Sequence, residues 1–122
     1  MTTYSLDANH NDIVQRFRQY HCPVDEIARS QTSIEGIPDI TVGIRAPQTG
    51  YSSIIKVEIK TPGSDLRPTQ KAHFENWHGL PVFRVDNFDE VDALVWFFSN
   101  TPLKWFDTMS LEDIVEDWRN RA

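Results

Sequence analysis

The spacing of hydrophobic residues changes period along this chain. Ile13, Val14 and Phe17 fall at helical spacing and predict a helix over Asn11 to Tyr20, with Asn9 or Asn11 as its cap and His21-Cys22-Pro23 as its end. Val24 to Ala28 is a short strand candidate, followed by a polar loop from Arg29 to Gly36. The period then falls to two. Ile40, Val42 and Ile44 share one face of a predicted strand, and Ile55, Val57 and Ile59 share one face of the next. Between them, Ala46 to Ser53 holds the Pro47 and Gly50 of a hairpin loop. Pro68 suits the first turn of a helix running to about Trp77, with Gln70, Phe74 and Trp77 on one face and Gly79 as its stop. Pro81 to Val85 predicts a strand. Two helices follow, each opened by a capping-box pattern, Asn87 to Glu90 and Ser110 to Asp113. Their apolar stripes are Val91, Leu94, Val95 and Phe98 in the first, and Leu111, Ile114, Val115 and Trp118 in the second.

This order predicts an α/β fold, a small mixed central sheet flanked by helices, with an added C-terminal helix. At 122 residues the chain is expected to be one domain, with a core over about 7–98 and a helical extension over about 103–122. No apolar run approaches membrane-spanning length, so no membrane partner is expected. Residues Met1 to Asp7 lack the basic start and apolar core of a signal peptide, and Cys22 has no second cysteine to pair with. Both features fit a cytoplasmic, reducing location.

The hairpin carries the candidate chemistry. Its other face holds Asp39 and Thr41 on the first strand and Lys56, Glu58 and Lys60 on the second. Asp39 and Glu58 are equally distant from the middle of the loop, between Gln48 and Thr49, so in-register pairing sets the two carboxylates opposite each other with Lys60 as a near neighbour. Ionised groups on strands that otherwise read as core are costly unless they are paired or hold a metal. A divalent metal site with a cationic helper satisfies that spacing. A solvated ladder of alternating Glu and Lys satisfies it as well. The histidines do not add zinc spacing, since His73 and His78 stand five apart.

The net charge of −6 argues at first sight against a polyanionic partner. Its distribution changes that. Residues 1–85 hold nine acids and nine bases, whereas residues 86–122 hold nine acids and three bases. The acidity therefore belongs to the C-terminal region and leaves the hairpin half neutral.

Pro38-Asp39, then Glu58-Ile59-Lys60 on the partner strand, then Gln70 in the next helix resembles the PD-(D/E)XK nuclease superfamily. The closer likeness is to the VRR-NUC branch and its small stand-alone phage and bacterial members. Gly36-Ile37-Pro38-Asp39-Ile40 is similar to that branch's G-x-P-D element. Lys56 to Pro62 is similar to its v-E-v-K element, and Leu66-Arg67-Pro68-Thr69-Gln70 to its L-t-P-x-Q element. Asn9 to Val14 resembles the opening of the N-terminal helix, with Asp12 at a position where an acid is common. The likeness spans roughly Asp7 to Leu94. Arg67 departs from the usual capping Thr, and Asp12 is shorter than the Glu expected there.

The resemblance implies a restriction-endonuclease-like fold and an Mg²⁺-dependent DNA endonuclease or structure-specific nuclease, with Mn²⁺ as a substitute metal. Asp39 and Glu58 would be metal ligands, the Ile59 backbone carbonyl a third, and Asp12 a further ligand. Lys60 would orient the attacking water and stabilise negative charge. Gln70 would position the site or hold a phosphate near its helix N-terminus. The implied partner is DNA, including branched or flapped DNA, in a bacterial or phage-infected cell. Two alternatives remain open. One is a non-catalytic DNA- or protein-binding module on the same fold, with the acidic C-terminal region as a protein-docking surface. The other is an accessory subunit of a phage or bacterial repair or packaging complex. A homodimer is also expected, to cut two strands. The stripe of Leu111, Ile114, Val115 and Trp118 would either meet a second copy or dock on the chain's own core.

Overall fold

The computed structural model describes residues 7–26, 38–48, 50–77, 81–100 and 110–121. The changes of period become elements. They are α1 (His10–Gln19), β1 (Val24–Glu26), β2 (Ile40–Ala46), β3 (Tyr51–Ile59), α2 (Pro68–Asn76), β4 (Val82–Val85), α3 (Phe88–Asn100) and α4 (Leu111–Arg121). Several expectations fall outside the described residues: Ile27 and Ala28 of the first strand, the Arg29 to Gly36 loop, the Gly36-Ile37 half of its motif, the Gly79 stop and residues 103–109 of the extension.

Among the described residues the sheet is mixed and runs in chain order, β1-β2-β3-β4. The first two pairings are antiparallel and β3–β4 is parallel. A parallel neighbour requires a crossover, and α2 lies within it. Alternation along the strands gives the sheet one largely apolar face. Ile40, Val42 and Ile44 of β2, Ile55, Val57 and Ile59 of β3, and Phe83 and Val85 of β4 are all buried in one core cluster. α1 adds Ile13, Val14 and Phe17 to that cluster, and α3 adds Val91, Leu94, Val95 and Phe98. α3 is the central helix, touching β2, α1 and α4. A two-bond ion pair also ties α1 to α3, with Arg16 donating to the Asp92 carboxylate at 2.9 and 2.8 Å.

The stripe of α4 turns inward. Ile114 and Val115 are buried, and Leu111 and Trp118 lie against the same core. Of its two expected uses, docking on the chain's own core is the one the structure shows for Ile114 and Val115. No helix among the described residues is long and apolar enough to cross a membrane.

The caps differ in detail from the sequence patterns. Asn87 Oδ1 accepts the Glu90 N–H at 2.9 Å, as a capping box requires, but the Glu90 carboxylate accepts from Asp86 N–H at 2.8 Å, one residue earlier than the pattern expects. Asn9 stands at the N-cap of α1 without a capping side-chain bond. α1 closes instead on a left-handed His21, with φ 63°, and Cys22 N–H donates back to the Phe17 carbonyl at 3.3 Å.

α2 is built differently from α1, α3 and α4. Its buried residue is polar, Gln70. Its last turn meets the sheet through charge and aromatic contact: the Lys56 ammonium sits 3.6 Å from the ring centroid of Trp77, and His73 stacks on that ring at 4.9 Å.

Candidate active site

Six polar or charged residues are buried among the described residues: His10, Asp39, Ser53, Glu58, Lys60 and Gln70. Four of the six are the residues selected from the hairpin and α2 motifs, so the chain concentrates its costly burial at that place. His10 is a separate case, with Nε2 2.8 Å from Glu26 Oε1 between α1 and β1.

The β2–β3 register pairs Ile40 with Val57. Continued by one residue, it sets Asp39 opposite Glu58, the arrangement expected from the symmetry of the loop. Asp39 is 3% exposed and Glu58 2%. The Asp39 carboxylate bends onto the neighbouring backbone, where Oδ2 accepts the Ile59 N–H at 2.8 Å. Asp39 therefore reaches β3 between Glu58 and Lys60. Alternate peptide groups of a strand point to opposite sides, and the N–H groups of Lys56 and Lys60 donate towards β4, to Pro81 O at 2.8 Å and Val85 O at 3.0 Å. The Ile59 carbonyl consequently lies on the β2 side, with Asp39.

Lys60 follows the last residue of β3 and is 8% exposed. Its carbonyl accepts from Asn9 Nδ2 at 3.0 Å, and the next N–H, that of Thr61, donates to Asp7 Oδ2 at 2.6 Å. Gln70 is 2% exposed, and its Oε1 accepts the Arg67 N–H at 2.8 Å. A guanidinium only donates, so Arg67 cannot supply the reciprocal bond that Thr or Ser would make. The C-terminal end of α2 meets β3 where Trp77 lies over the Lys56 ammonium.

Asp12 does not join this group. It is exposed on the outer side of α1 and lines a pocket of about 130 Å³ with Gln15, Arg16, Gln19 and Phe88. The buried face of α1 belongs to His10, Ile13, Val14 and Phe17. Among the described residues, no three His, Cys, Asp or Glu side chains gather as a metal-binding group. The oxygen donors at the site are two carboxylates and the Ile59 carbonyl.

Arg84 was not selected from the sequence. The parallel register pairs it with Glu58, which makes Asp39, Glu58 and Arg84 a row across three strands. Its guanidinium donates to Asp86 Oδ2 at 2.7 Å and to Ser64 O at 2.5 Å. The alternation Val82-Phe83-Arg84-Val85 signals that Arg84 leaves the core face, but its neighbour depends on the parallel pairing.

Beyond this row, burial would raise the Asp86 carboxyl, but bonds from Arg84 and Asn87 hold it below the usual carboxylate range. Burial, together with the charge on Asp86, pushes Glu90 up to about 7. Burial and the Lys56 charge push His73 down. None of the protein-family models, curated proteins or solved structures compared with the chain matches it.

Proposed function

We propose that the chain is an Mg²⁺-dependent nuclease hydrolysing DNA phosphodiesters on a restriction-endonuclease-like fold. The observation that carries this reading is the burial of two facing carboxylates and a lysine on one side of the sheet, and of a glutamine in α2, while the other side of the sheet packs into the apolar core. A solvated charge ladder would leave these side chains in water, and they are not there.

The donor set fits the metal. Mg²⁺ prefers oxygen ligands and keeps several waters, so Asp39, Glu58 and the Ile59 carbonyl are an adequate protein contribution. When bound, the ion would supply an activated water and charge stabilisation on the phosphate. Lys60 would hold the attacking water by a donated hydrogen bond and offset negative charge on the phosphoryl oxygens. Gln70, in the first turn of α2, would orient a phosphate near the helix N-terminus. Asp12 has no role in this scheme.

Single-turnover assays on flaps, forks, four-way junctions and plain duplex test the reading. Cleavage is expected with Mg²⁺ or Mn²⁺, and binding without turnover with Ca²⁺. Equal cleavage in EDTA by highly purified protein would remove the metal mechanism.

One observation favours a second reading. Glu112, Asp113 and Glu116 are exposed on α4. That surface suits a protein partner better than DNA, as a binding module or accessory subunit would need. DNA binding with no cleavage of any of the four substrates would favour it.

A further inference from the structure

The peptide that joins Lys60 to Thr61 is held from both ends by the segment leading into α1. Asn9 Nδ2 donates to the Lys60 carbonyl at 3.0 Å and also to the Asp86 carbonyl at 3.2 Å. Asp7 Oδ2 accepts the Thr61 N–H at 2.6 Å. Both acceptors around Asn9 are carbonyl oxygens, so the amide nitrogen has to face them.

This use of Asn9 is unusual for its position. It stands at the N-cap, where its side chain would ordinarily bond the first turn of its own helix, and it makes no such bond. Asp7 also crosses to the sheet with its side chain, while its carbonyl accepts the His10 N–H at 2.9 Å. Lys60 lies one residue beyond the end of β3, where the ladder no longer fixes the chain on both sides. Its own N–H is anchored on Val85 O at 3.0 Å. The clamp supplies the anchors on the other side of the residue. Backbone dihedrals at Lys60 decide where its ammonium points, and fixing the flanking peptides limits both.

We propose that Asp7 and Asn9 are positioning residues for Lys60, aiming its ammonium at the Asp39–Glu58 pair by clamping the Lys60–Thr61 peptide. The inference rests on the nuclease reading, since it assigns these residues an effect on turnover.

The test is a kinetic comparison of four variants with the wild type, with metal and DNA affinities measured alongside. Asp7→Ala should lower single-turnover kcat by about 10- to 100-fold, the scale of a misplaced catalytic group. Metal and DNA affinities should move by no more than about twofold, because neither residue touches them. Asp7→Asn keeps an acceptor oxygen for the Thr61 N–H and should recover most of the rate. Asn9→Ala carries the same expectation as Asp7→Ala and serves if that variant does not fold.

Arg16→Ala is the control. It loosens α1 from α3 by removing the pair with Asp92, and leaves the Lys60–Thr61 peptide untouched. It should lower Tm without lowering kcat at a temperature where it is folded. Equal loss of kcat in Arg16→Ala and Asp7→Ala would show a merely structural tie and overturn the inference. Wild-type kcat in folded Asp7→Ala and Asn9→Ala would overturn it too. A wild type that cleaves no substrate overturns the nuclease reading instead, and with it any claim on turnover. Exchange of the Thr61 amide, expected to speed in Asp7→Ala and not in Arg16→Ala, then tells whether the clamp itself exists.

Discussion

The two faces of the sheet are made from alternate residues of the same strands, yet they are built to opposite rules. One face carries Ile40, Val42, Ile44, Ile55, Val57 and Ile59 and is sealed by α1 and α3. The other carries Asp39, Glu58 and Lys60, and the helix that meets it at Lys56 buries a glutamine. The first face suffices to hold the strands together. The second does the reverse of what stability asks, because it takes charges out of water beside one another. A protein tolerates such a face where the buried charges are paired and hydrogen-bonded or serve a function.

The largest expected effect attacks the polar face by function. Lys60→Ala should lower cleavage by about 10²–10³-fold, the usual cost of removing one electrostatic helper. It should leave Mg²⁺-dependent stabilisation nearly intact, because lysine is not a ligand, whereas Glu58→Ala should lose both. Wild-type cleavage by Lys60→Ala would return Lys60 to an ordinary structural charge.

The apolar face should respond in stability. Ile55→Ala, at a site with no solvent exposure, should cost about 2–5 kcal/mol in chemical denaturation. A loss below about 1 kcal/mol would mean that the core face does not dominate folding.

Glu90 gives a pH-dependent contrast near the edge of the polar face. Its carboxyl titrates at about 7 in the folded chain, against an ordinary value near 4.5. The folded state therefore holds the proton more tightly. Stability from this group is complete below about pH 4.5 and is lost as pH rises to about 7. Glu90→Gln keeps an oxygen for the Asp86 N–H and should flatten that slope. It should stabilise the protein above pH 7 by on the order of 1 kcal/mol, after allowance for partial exposure. Parallel slopes in melts of both proteins from pH 4 to 8 would remove Glu90 as their source.

The smallest effect is the most diagnostic of the polar face. Asp39→Asn removes one of two facing charges and retains an oxygen for the Ile59 N–H. In EDTA it should melt at or slightly above the wild type, by on the order of 1 kcal/mol or less. Millimolar Mg²⁺ should stabilise the wild type by mass action and leave the variant unchanged. A destabilised variant beside an Mg²⁺-indifferent wild type would make the face a structural ladder.

The sequence by itself determined whatever a local pattern can carry. Alternation in β2 and β3 separates the two faces, and the loop centred between Gln48 and Thr49 sets a register that brings Asp39 to Glu58. Helical stripes announce α1, α3 and α4, and Pro68 the start of α2. Only the tertiary structure decided relations that span the chain. The parallel pairing of β4 sets Arg84 beside Glu58, and no spacing within either segment encodes that choice of neighbour. Asn9 looks like a cap in its own segment, but its side chain reaches Lys60 and Asp86, 51 and 77 residues away. Asp12 directly precedes the buried Ile13, and its direction depends on how α1 is rotated against β1 and α3. Local patterns act through the repeat of helix and strand, so they tell which residues share a face. Which distant side chain that face meets is decided when the elements close on a common core.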